Sequence, residues 1–377
     1  MGRSVTNAGG IGSGTDESQG DTAPVAAGER ERGSGAGCER GGAAERVLRY
    51  HRVPRFELES GTVLEDVVQA YHLDGELNAA RDNLVVIFHA LTGTPDAVGE
   101  WWRPIAGPGR VIDTDRYAVL CTNLIGSCYG TSHAPLPSGE RPKVTTRDMA
   151  RLIRLLVDEL GVRSVAFAVG GSLGGMVALE WAASFPELTR SVVSIAAPAA
   201  HTAQAIGWNH VQRRVIEVAG EDGLAIARMV GMLTYRTADE FDARFGRELR
   251  PDGRFQAQSY LDHHGGKLLA RFDVRSYLTL IDAMDAHDVG RGRGGVAAAL
   301  RAFRGRLTGV GIPGDLLYRD VDVRSWTDAA GAAYREIHSI HGHDAFLLEP
   351  EQVERVLTEA LGAASPLREA AAAGPAR

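Results

Sequence analysis

The chain has 377 residues, a net charge of −7 and an apolar fraction of 44%, which is the composition of an ordinary globular protein. A nucleic-acid-binding protein would carry a basic excess to neutralise phosphates, so the negative charge argues against that class. The sequence shows neither an apolar stretch of about 20 residues to span a bilayer nor a secretory leader, and we expect a cytoplasmic protein with no nucleic-acid or membrane partner.

Strand and helix patterns alternate over the first 200 residues. A hairpin is predicted at 56–64, around a Ser-Gly pair, with its second strand continuing to about residue 72. Short apolar runs predict buried strands, and apolar residues at helical spacing predict helices. These strands are 84–88, 117–121, 164–169 and 191–196, and the helices are 147–160 and 176–185. The alternation is typical of an α/β protein with a mostly parallel sheet flanked by helices.

Helical patterns dominate from about residue 197 to 306, where no buried strand is predicted. The clearest helices there are 202–217, 223–233 and 273–284. Strand character returns at 307–312 and 334–340, followed by a helix at 350–361. We interpret the helical part as a lid inserted into one α/β domain. The predicted organisation is a disordered extension at 1–45, the first part of the core at 46–200, the lid at 201–305, the second part of the core at 306–365, and a disordered tail at 366–377.

Residues 170–174 read Gly-Gly-Ser-Leu-Gly and lie between a predicted strand and a predicted helix. This is the Gly-x-Ser-x-Gly pattern in the context that a nucleophile elbow requires. The helix N-terminus would supply amide N–H groups and a partial positive charge close to the serine hydroxyl. The motif predicts an acyl-serine intermediate at Ser172 and an α/β-hydrolase fold with a helical lid insertion.

A serine hydroxyl needs a base to remove its proton, and that base is usually a histidine held by a carboxylate. In this type of sheet the chain order is serine, carboxylate, histidine. Asp315 follows the predicted strand at 307–312, and His343 follows the one at 334–340. Both therefore lie where the catalytic loops of an open α/β sheet are expected. We predict a catalytic triad of Ser172, Asp315 and His343.

Other residues compete for the two supporting roles. His341 is separated from His343 by a single glycine. His338 falls inside the predicted strand, which favours a structural role. Asp320 and Asp322 lie further past their strand than Asp315 and are weaker candidates for the carboxylate.

The negatively charged oxygen of the reaction intermediate needs two N–H donors. The amide of Leu173, directly after the nucleophile, is predicted to supply one. The other should come from the loop after the strand at 84–88, where we choose Leu91. His89 begins this loop and is expected to be a structural hydrogen-bonding residue. The pattern does not separate a hydrolase from an acyltransferase, because water and a bound alcohol attack the same intermediate.

Several segments resemble the homoserine O-acetyltransferase family more specifically. The matching segments follow the family's order along almost all of the chain that is expected to fold. At the elbow, Leu173 stands where the family usually has Met or Phe. The matching segments are 82–93, 101–102, 107–109, 112–117, 123–130, 170–176, 205–211, 223–228, 233–236, 271–273, 276–278 and 342–347. The resemblance implies a ping-pong transfer in methionine biosynthesis, with acetyl-CoA as co-substrate, L-homoserine as acceptor and no cofactor.

The resemblance also assigns substrate-binding residues. Arg228 would bind the carboxylate of the amino acid, Asp344 its ammonium group, and Tyr235 would line the same pocket. On pattern alone, Arg228 is more typical of a surface salt bridge in the lid. The family's lid helices form a homodimer, which implies the same here. No group of His, Cys and carboxylate residues has the spacing of a metal site.

The sequence departs from the family at two places. A Gly-Pro and Asn-Pro rich stretch is shortened to 133–139, and a loop with glycines and tyrosines is reduced to 217–222. Both are expected near the active-site mouth, so the acyl donor and acceptor stay open. Succinyl-CoA and L-serine are alternatives within the same chemistry. An esterase or thioesterase on the same fold, or a non-catalytic relative, are alternatives outside it.

Overall fold

The computed structural model describes residues 46–362, so the disorder predicted for 1–45 and 366–377 lies outside the described residues. In chain order the strands are β1 (Arg49–Glu57), β2 (Val63–Asp74), β3 (Leu84–Phe88), β4 (Ala106–Gly107), β5 (Ile112–Asp113), β6 (Ala118–Thr122), β7 (Val165–Gly171), β8 (Ser191–Ile195), β9 (Arg306–Gly311) and β10 (Ala333–Glu336). Eight of them form one sheet in the order β1-β2-β6-β3-β7-β8-β9-β10, and β4 pairs with β5. Only the β1–β2 and β2–β6 pairs of this sheet are antiparallel, which confirms the predicted mostly parallel sheet.

Helices flank the sheet and fill the segment between β8 and β9. They are α1 (Thr146–Glu159), α2 (Leu173–Ser184), α3 (Ala203–Ala219), α4 (Asp222–Tyr235), α5 (Ala238–Phe245), α6 (Gln256–Leu269), α7 (Val274–Asp285), α8 (Val296–Arg301), α9 (Asp320–Ala330), α10 (Ala345–Leu348) and α11 (Pro350–Gly362). Helices α3 to α8 lie between β8 and β9, where a helical region was predicted. The sequence did not predict α5, α6, α8, α9 or α10; of these, α8 and α10 are only six and four residues long.

The core occupies both faces of the sheet. Along β3, Leu84, Val86 and Phe88 face one apolar cluster, which includes residues of α1 and α2. Val85 and Ile87 face the opposite cluster, which includes residues of α11. Strands buried on both faces read as continuous apolar runs, which explains why β3 was visible in the sequence. Within residues 46–362, no helix is both long enough and apolar enough to cross a membrane.

The strand predicted at 334–340 is too long. The amide of Ile337 still donates to Gly311 O, at 3.0 Å, but the amide of His338 donates to the side chain of Gln352 on α11, also at 3.0 Å. The chain therefore leaves the sheet here. The side chain of His338 is 71% exposed and faces Glu336, so placing it inside a strand was wrong.

Candidate active site

Ser172 lies at the junction of β7 and α2 in a backbone conformation that residues other than glycine rarely adopt. Its φ is +59° and its ψ is −126°. The amide of Ser172 donates to Ile195 O at 2.9 Å, and its carbonyl accepts from the amide of Met176 at 3.1 Å. Strand β8 and helix α2 thus hold the strained turn, which is the geometry expected of a nucleophile elbow.

Two glycines allow the elbow to form. A Cβ at Gly170 would lie 2.3 Å from the backbone of Gly174, and one at Gly174 would lie 2.1 Å from the carbonyl oxygen of Phe88. Real Cβ atoms do not approach backbone so closely, and the backbone here cannot move without displacing β3. The Gly-x-Ser-x-Gly spacing is therefore a packing requirement between β7, α2 and β3.

The structure brings Ser172, Asp315 and His343 together at the carboxyl edge of the parallel strands. His343 Nε2 lies 2.8 Å from Ser172 Oγ. His343 Nδ1 lies 2.7 Å from Asp315 Oδ2. The other carboxylate oxygen, Oδ1, accepts from the amides of Leu317 at 2.8 Å and Tyr318 at 3.0 Å. The carboxylate is thereby fixed, and His343 can only take a proton from the serine through Nε2.

The surroundings of His343 make it a stronger base than an ordinary histidine. Burial alone would disfavour the imidazolium, but the charge of Asp315, its hydrogen bond and the charge of Asp344 outweigh burial and raise the pKa of His343. The raised pKa means that these surroundings stabilise the protonated ring, which is what a base for Ser172 would require.

The rival residues lie apart from this constellation. His341 Nδ1 is 3.2 Å from Glu240, and Asp322 pairs with Arg319 at 2.8 Å. Asp320 is the first residue of α9. Asp315 and His343 are the residues that hydrogen-bond towards Ser172, as the chain order predicted.

The loop after β3 approaches the elbow and is held by His89. His89 Nδ1 lies 2.7 Å from Ala90 O, and its Nε2 accepts from the amide of Leu124 at 3.0 Å. Burial lowers the pKa of His89 to about 4, so the ring is neutral near pH 7. This is the structural role expected for it. Leu91 lies in the same loop, and Leu173 is the first residue of α2.

Tyr235 and Arg228, both from α4, lie beside the triad. The ring of Tyr235 is 5.7 Å from that of His343, and the guanidinium of Arg228 lies over Tyr235 at 5.2 Å. Asp344 follows His343, but it pairs with Arg236 at 3.1 Å. Among the ion pairs of residues 46–362, none involves Arg228, so the surface salt bridge suggested by pattern alone does not form.

Two residues around the triad were given no role in the sequence analysis. Tyr318 packs edge-on against His343, with ring centroids 5.3 Å apart. Arg236 joins Asp344 to Glu240. Their roles depend on contacts between segments far apart in the chain, and a lone Tyr or Arg in a loop does not reveal such contacts.

The two shortened segments lie in different parts of the structure. Ser132, just before the first of them, pairs with Val68 of β2, and Gly139 accepts from Arg275 of α7. The second segment runs from the end of α3 to the first residue of α4, and Gly220 ends α3 with a φ of +63°. Among the described residues, no three His, Cys, Asp or Glu side chains are arranged to hold a metal ion.

Comparison with known proteins places this architecture. A sequence profile described as the alpha/beta hydrolase fold matches residues 83–220. The chain is 43% identical to the homoserine O-acetyltransferase of Thermus thermophilus, over 82% of this chain and 89% of that protein. The solved homoserine O-acetyltransferase of Staphylococcus aureus has a TM-score of 0.73 at 31% identity, covering 84% of this chain and 95% of that one. Esterase E22 has a TM-score of 0.77 at 18% identity, covering 84% and 99%, which shows the fold alone. The α/β-hydrolase fold is confirmed.

Proposed function

The chain belongs to the homoserine O-acetyltransferase family, and we propose that it transfers an acetyl group from acetyl-CoA to the side-chain hydroxyl of L-homoserine. The reaction runs through an acyl-serine at Ser172, in two steps that share one base, and it belongs to methionine biosynthesis. Both substrates are small molecules.

The observation that carries the proposal is the cation beside the triad. The Arg228 guanidinium lies over the ring of Tyr235, which in turn lies beside His343. The nearby carboxylates of Glu240 and Asp344 pair with Arg236 instead. A planar guanidinium that is one aromatic ring away from His343 suits the carboxylate of an amino acid, which it can grip with two hydrogen bonds. A plain esterase has no need of such a group.

In the first step, Ser172 Oγ attacks the carbonyl carbon of the thioester and its proton moves to His343 Nε2. The C–S bond breaks, and the proton passes from His343 to the leaving thiolate of CoA. Asp315 stabilises the imidazolium that forms in between. We assign the amides of Leu91 and Leu173 to the negatively charged oxygen of the tetrahedral intermediate. The helix N-terminus at Leu173 supports this assignment.

In the second step, the hydroxyl of L-homoserine gives its proton to His343 Nε2 and attacks the acyl-serine carbonyl. The bond to Ser172 Oγ breaks, and the serine recovers a proton from His343. Arg228 would hold the carboxylate of the acceptor, and Asp344 would hold its ammonium group. Tyr235 would form the pocket wall between these two residues. Holding the hydroxyl in this position favours its attack over that of water.

We also propose a homodimer formed through a lid at residues 201–305, set into a core at 46–200 and 306–365. Apolar side chains exposed on α3 and α4 support it: Val211 is 44% exposed, Val218 80%, Ile226 42% and Leu233 48%. Such residues on neighbouring helices suit an interface. Sedimentation of the wild type and of Val218→Glu tests this.

A cytoplasmic location is supported by the free thiols of Cys121 and Cys128.

The test of function measures CoA release from acetyl-CoA with and without L-homoserine, for the wild type and for Ser172→Ala. Steady-state release that requires L-homoserine and is lost in the variant supports the transferase. Equal release without an acceptor would make water the nucleophile and overturn it. Turnover only with succinyl-CoA or with L-serine would keep the mechanism but change the substrate.

A further inference from the structure

A second histidine–carboxylate pair lies behind the proposed triad, and the mechanism above does not use it. His201 Nε2 lies 3.0 Å from the hydroxyl of Tyr318. His201 Nδ1 lies 3.2 Å from Asp285 Oδ1. The side chain of His201 is 1% exposed, and Tyr318 is fully buried. Polar groups buried in this way depend on one another for their contacts, because water does not reach them.

Asp285 fixes the orientation of the imidazole. Its Oδ1 accepts from Asn209 Nδ2 at 2.8 Å, and its Oδ2 accepts from Arg213 Nη2 at 2.7 Å. Burial would raise the pKa of Asp285, but its contacts with His201, Arg213 and Asn209 outweigh burial and lower that pKa. His201 Nδ1 faces Asp285 Oδ1 at 3.2 Å, and its Nε2 lies 3.0 Å from the phenol oxygen of Tyr318. The imidazole therefore bridges the carboxylate and the phenol.

Tyr318 touches two members of the triad. Its ring packs edge-on against that of His343 at 5.3 Å, with the planes at 77°. Its amide donates to Asp315 Oδ1 at 3.0 Å. Burial raises the pKa of Tyr318, which keeps its hydroxyl neutral and able to donate to His201. The orientation of the phenol therefore limits the orientation of the catalytic imidazole.

We propose that Tyr318 is a positioning residue for His343 and that the His201–Asp285 pair holds its ring in place. The inference rests on the proposed roles of Ser172 and His343, but not on which alcohol accepts the acyl group. A base displaced by about 1 Å can cost on the order of 100-fold in rate, so a locked neighbour has a measurable effect. Because Asn209 lies on α3 and Asp285 ends α7, the same contacts tie the helical segment to the triad.

The first test is Tyr318→Phe, which removes the hydroxyl and keeps the ring. We expect the rate of serine acylation by p-nitrophenyl acetate to fall about tenfold, with the KM for the ester unchanged. The matched control is Thr146→Val, because Thr146 Oγ1 lies 2.8 Å from Nδ1 of His287 in another buried hydroxyl–imidazole contact. The control should lose about as much thermal stability as Tyr318→Phe and keep the wild-type acylation rate.

The second test separates positioning from mere space filling. His201→Gln places an amide near the former Nε2 and can still bond the hydroxyl of Tyr318. His201→Asn reaches only the position of Nδ1, next to Asp285. We expect the Gln variant to retain most of the acylation rate and the Asn variant to fall to the level of Tyr318→Phe. This pair decides the matter even if Tyr318→Phe does not fold.

The outcomes are distinct. Wild-type acylation in Tyr318→Phe, or equal rates in the two His201 variants, would overturn the inference while the wild-type p-nitrophenol burst remains. If the wild type gives no burst that depends on Ser172, the proposed acyl-serine chemistry itself fails. Acylation lost equally in Tyr318→Phe and Thr146→Val would also overturn it, because the effect would then follow from stability.

Discussion

Arg236, at the end of α4, lies 3.1 Å from the carboxylate of Asp344, the residue that follows His343. The same guanidinium lies 3.0 Å from Glu240 at the start of α5. Thr237 adds a hydrogen bond from its hydroxyl to Ile340 O. The turn between α4 and α5 is thus clamped to the loop that carries the proposed catalytic histidine.

This clamp predicts that substitution of Arg236 slows acyl transfer to the acceptor more than it slows acylation of Ser172. Arg236→Gln removes the cation that holds Asp344 in place, so binding of the acceptor's ammonium group should suffer. We expect kcat/KM for L-homoserine to fall about tenfold further than the acylation rate. Steady-state kinetics and the p-nitrophenol burst measure the two separately.

Arg236→Lys is the control for charge. It keeps the cation but loses the planar fork that reaches two carboxylates. Its kcat/KM for L-homoserine should therefore lie between those of the wild type and Arg236→Gln. Equal losses in acylation and in acceptor use by the Gln variant would contradict the prediction, since they would indicate displacement of His343 itself.

The pKa of His343 predicts how activity responds to pH. Burial lowers this pKa, but the charge and hydrogen bond of Asp315 and the charge of Asp344 raise it above the ordinary value. The base must be unprotonated, so acylation falls as the pH drops through that pKa. Asp344→Asn removes one of the raising charges, and the midpoint of the acid limb should move to lower pH, by up to about one unit.

Arg236→Gln should shift the same midpoint in the opposite direction, because it leaves the charge of Asp344 unpaired near His343. A chromogenic acetyl ester is the substrate of choice, since neither variant then acts through acceptor binding. Midpoints that do not move, or that move together, would show that Asp344 has no electrostatic effect on the base.

The guanidinium of Arg228 predicts discrimination between acceptors that differ only in a carboxylate. L-Homoserine and 3-aminopropan-1-ol share the hydroxyl and the amine, but only the first can pair with Arg228. We expect the wild type to prefer L-homoserine by at least about 100-fold in kcat/KM, which corresponds to roughly 3 kcal/mol. Arg228→Gln should lose most of this preference by slowing L-homoserine alone, while the acylation burst is kept. If Arg228→Gln keeps the preference, a residue other than Arg228 must bind the carboxylate of the acceptor.

The sequence predicted the parts of this structure that depend on local pattern. Strands such as β3 were found because burial on both faces requires an unbroken apolar run, as at 84–88. The elbow was found because Gly170 and Gly174 must lie at fixed spacing around Ser172 for the backbones to approach. Asp315 and His343 followed from the rule that the carboxyl ends of parallel strands meet.

The rest depended on contacts that no local pattern encodes. The strand predicted at 334–340 ended at Glu336 because His338 finds its partner on α11, a helix that is later in the chain. Tyr318 lies against His343 only because β9 and β10 are neighbours. The pairing of Asp344 with Arg236 was not predicted, and the role of Asp344 towards the substrate ammonium stays a prediction.

The close packing at the elbow predicts that two glycine substitutions of the same chemistry have opposite effects on stability. In Gly174→Ala the new Cβ would lie 2.1 Å from Phe88 O, which is backbone of a central strand and cannot yield cheaply. We expect this variant to lose about 3 kcal/mol of unfolding free energy. Because Ser172 is displaced, we also expect it to lose its acylation burst.

Gly207 lies within α3, and a Cβ added there would have no neighbouring atom within 4 Å. Gly207→Ala should therefore gain about 0.5–1 kcal/mol from reduced entropy of the unfolded chain. Denaturant unfolding of both variants measures the difference, and a Gly174→Ala protein as stable as the wild type would mean that the elbow can relax without β3.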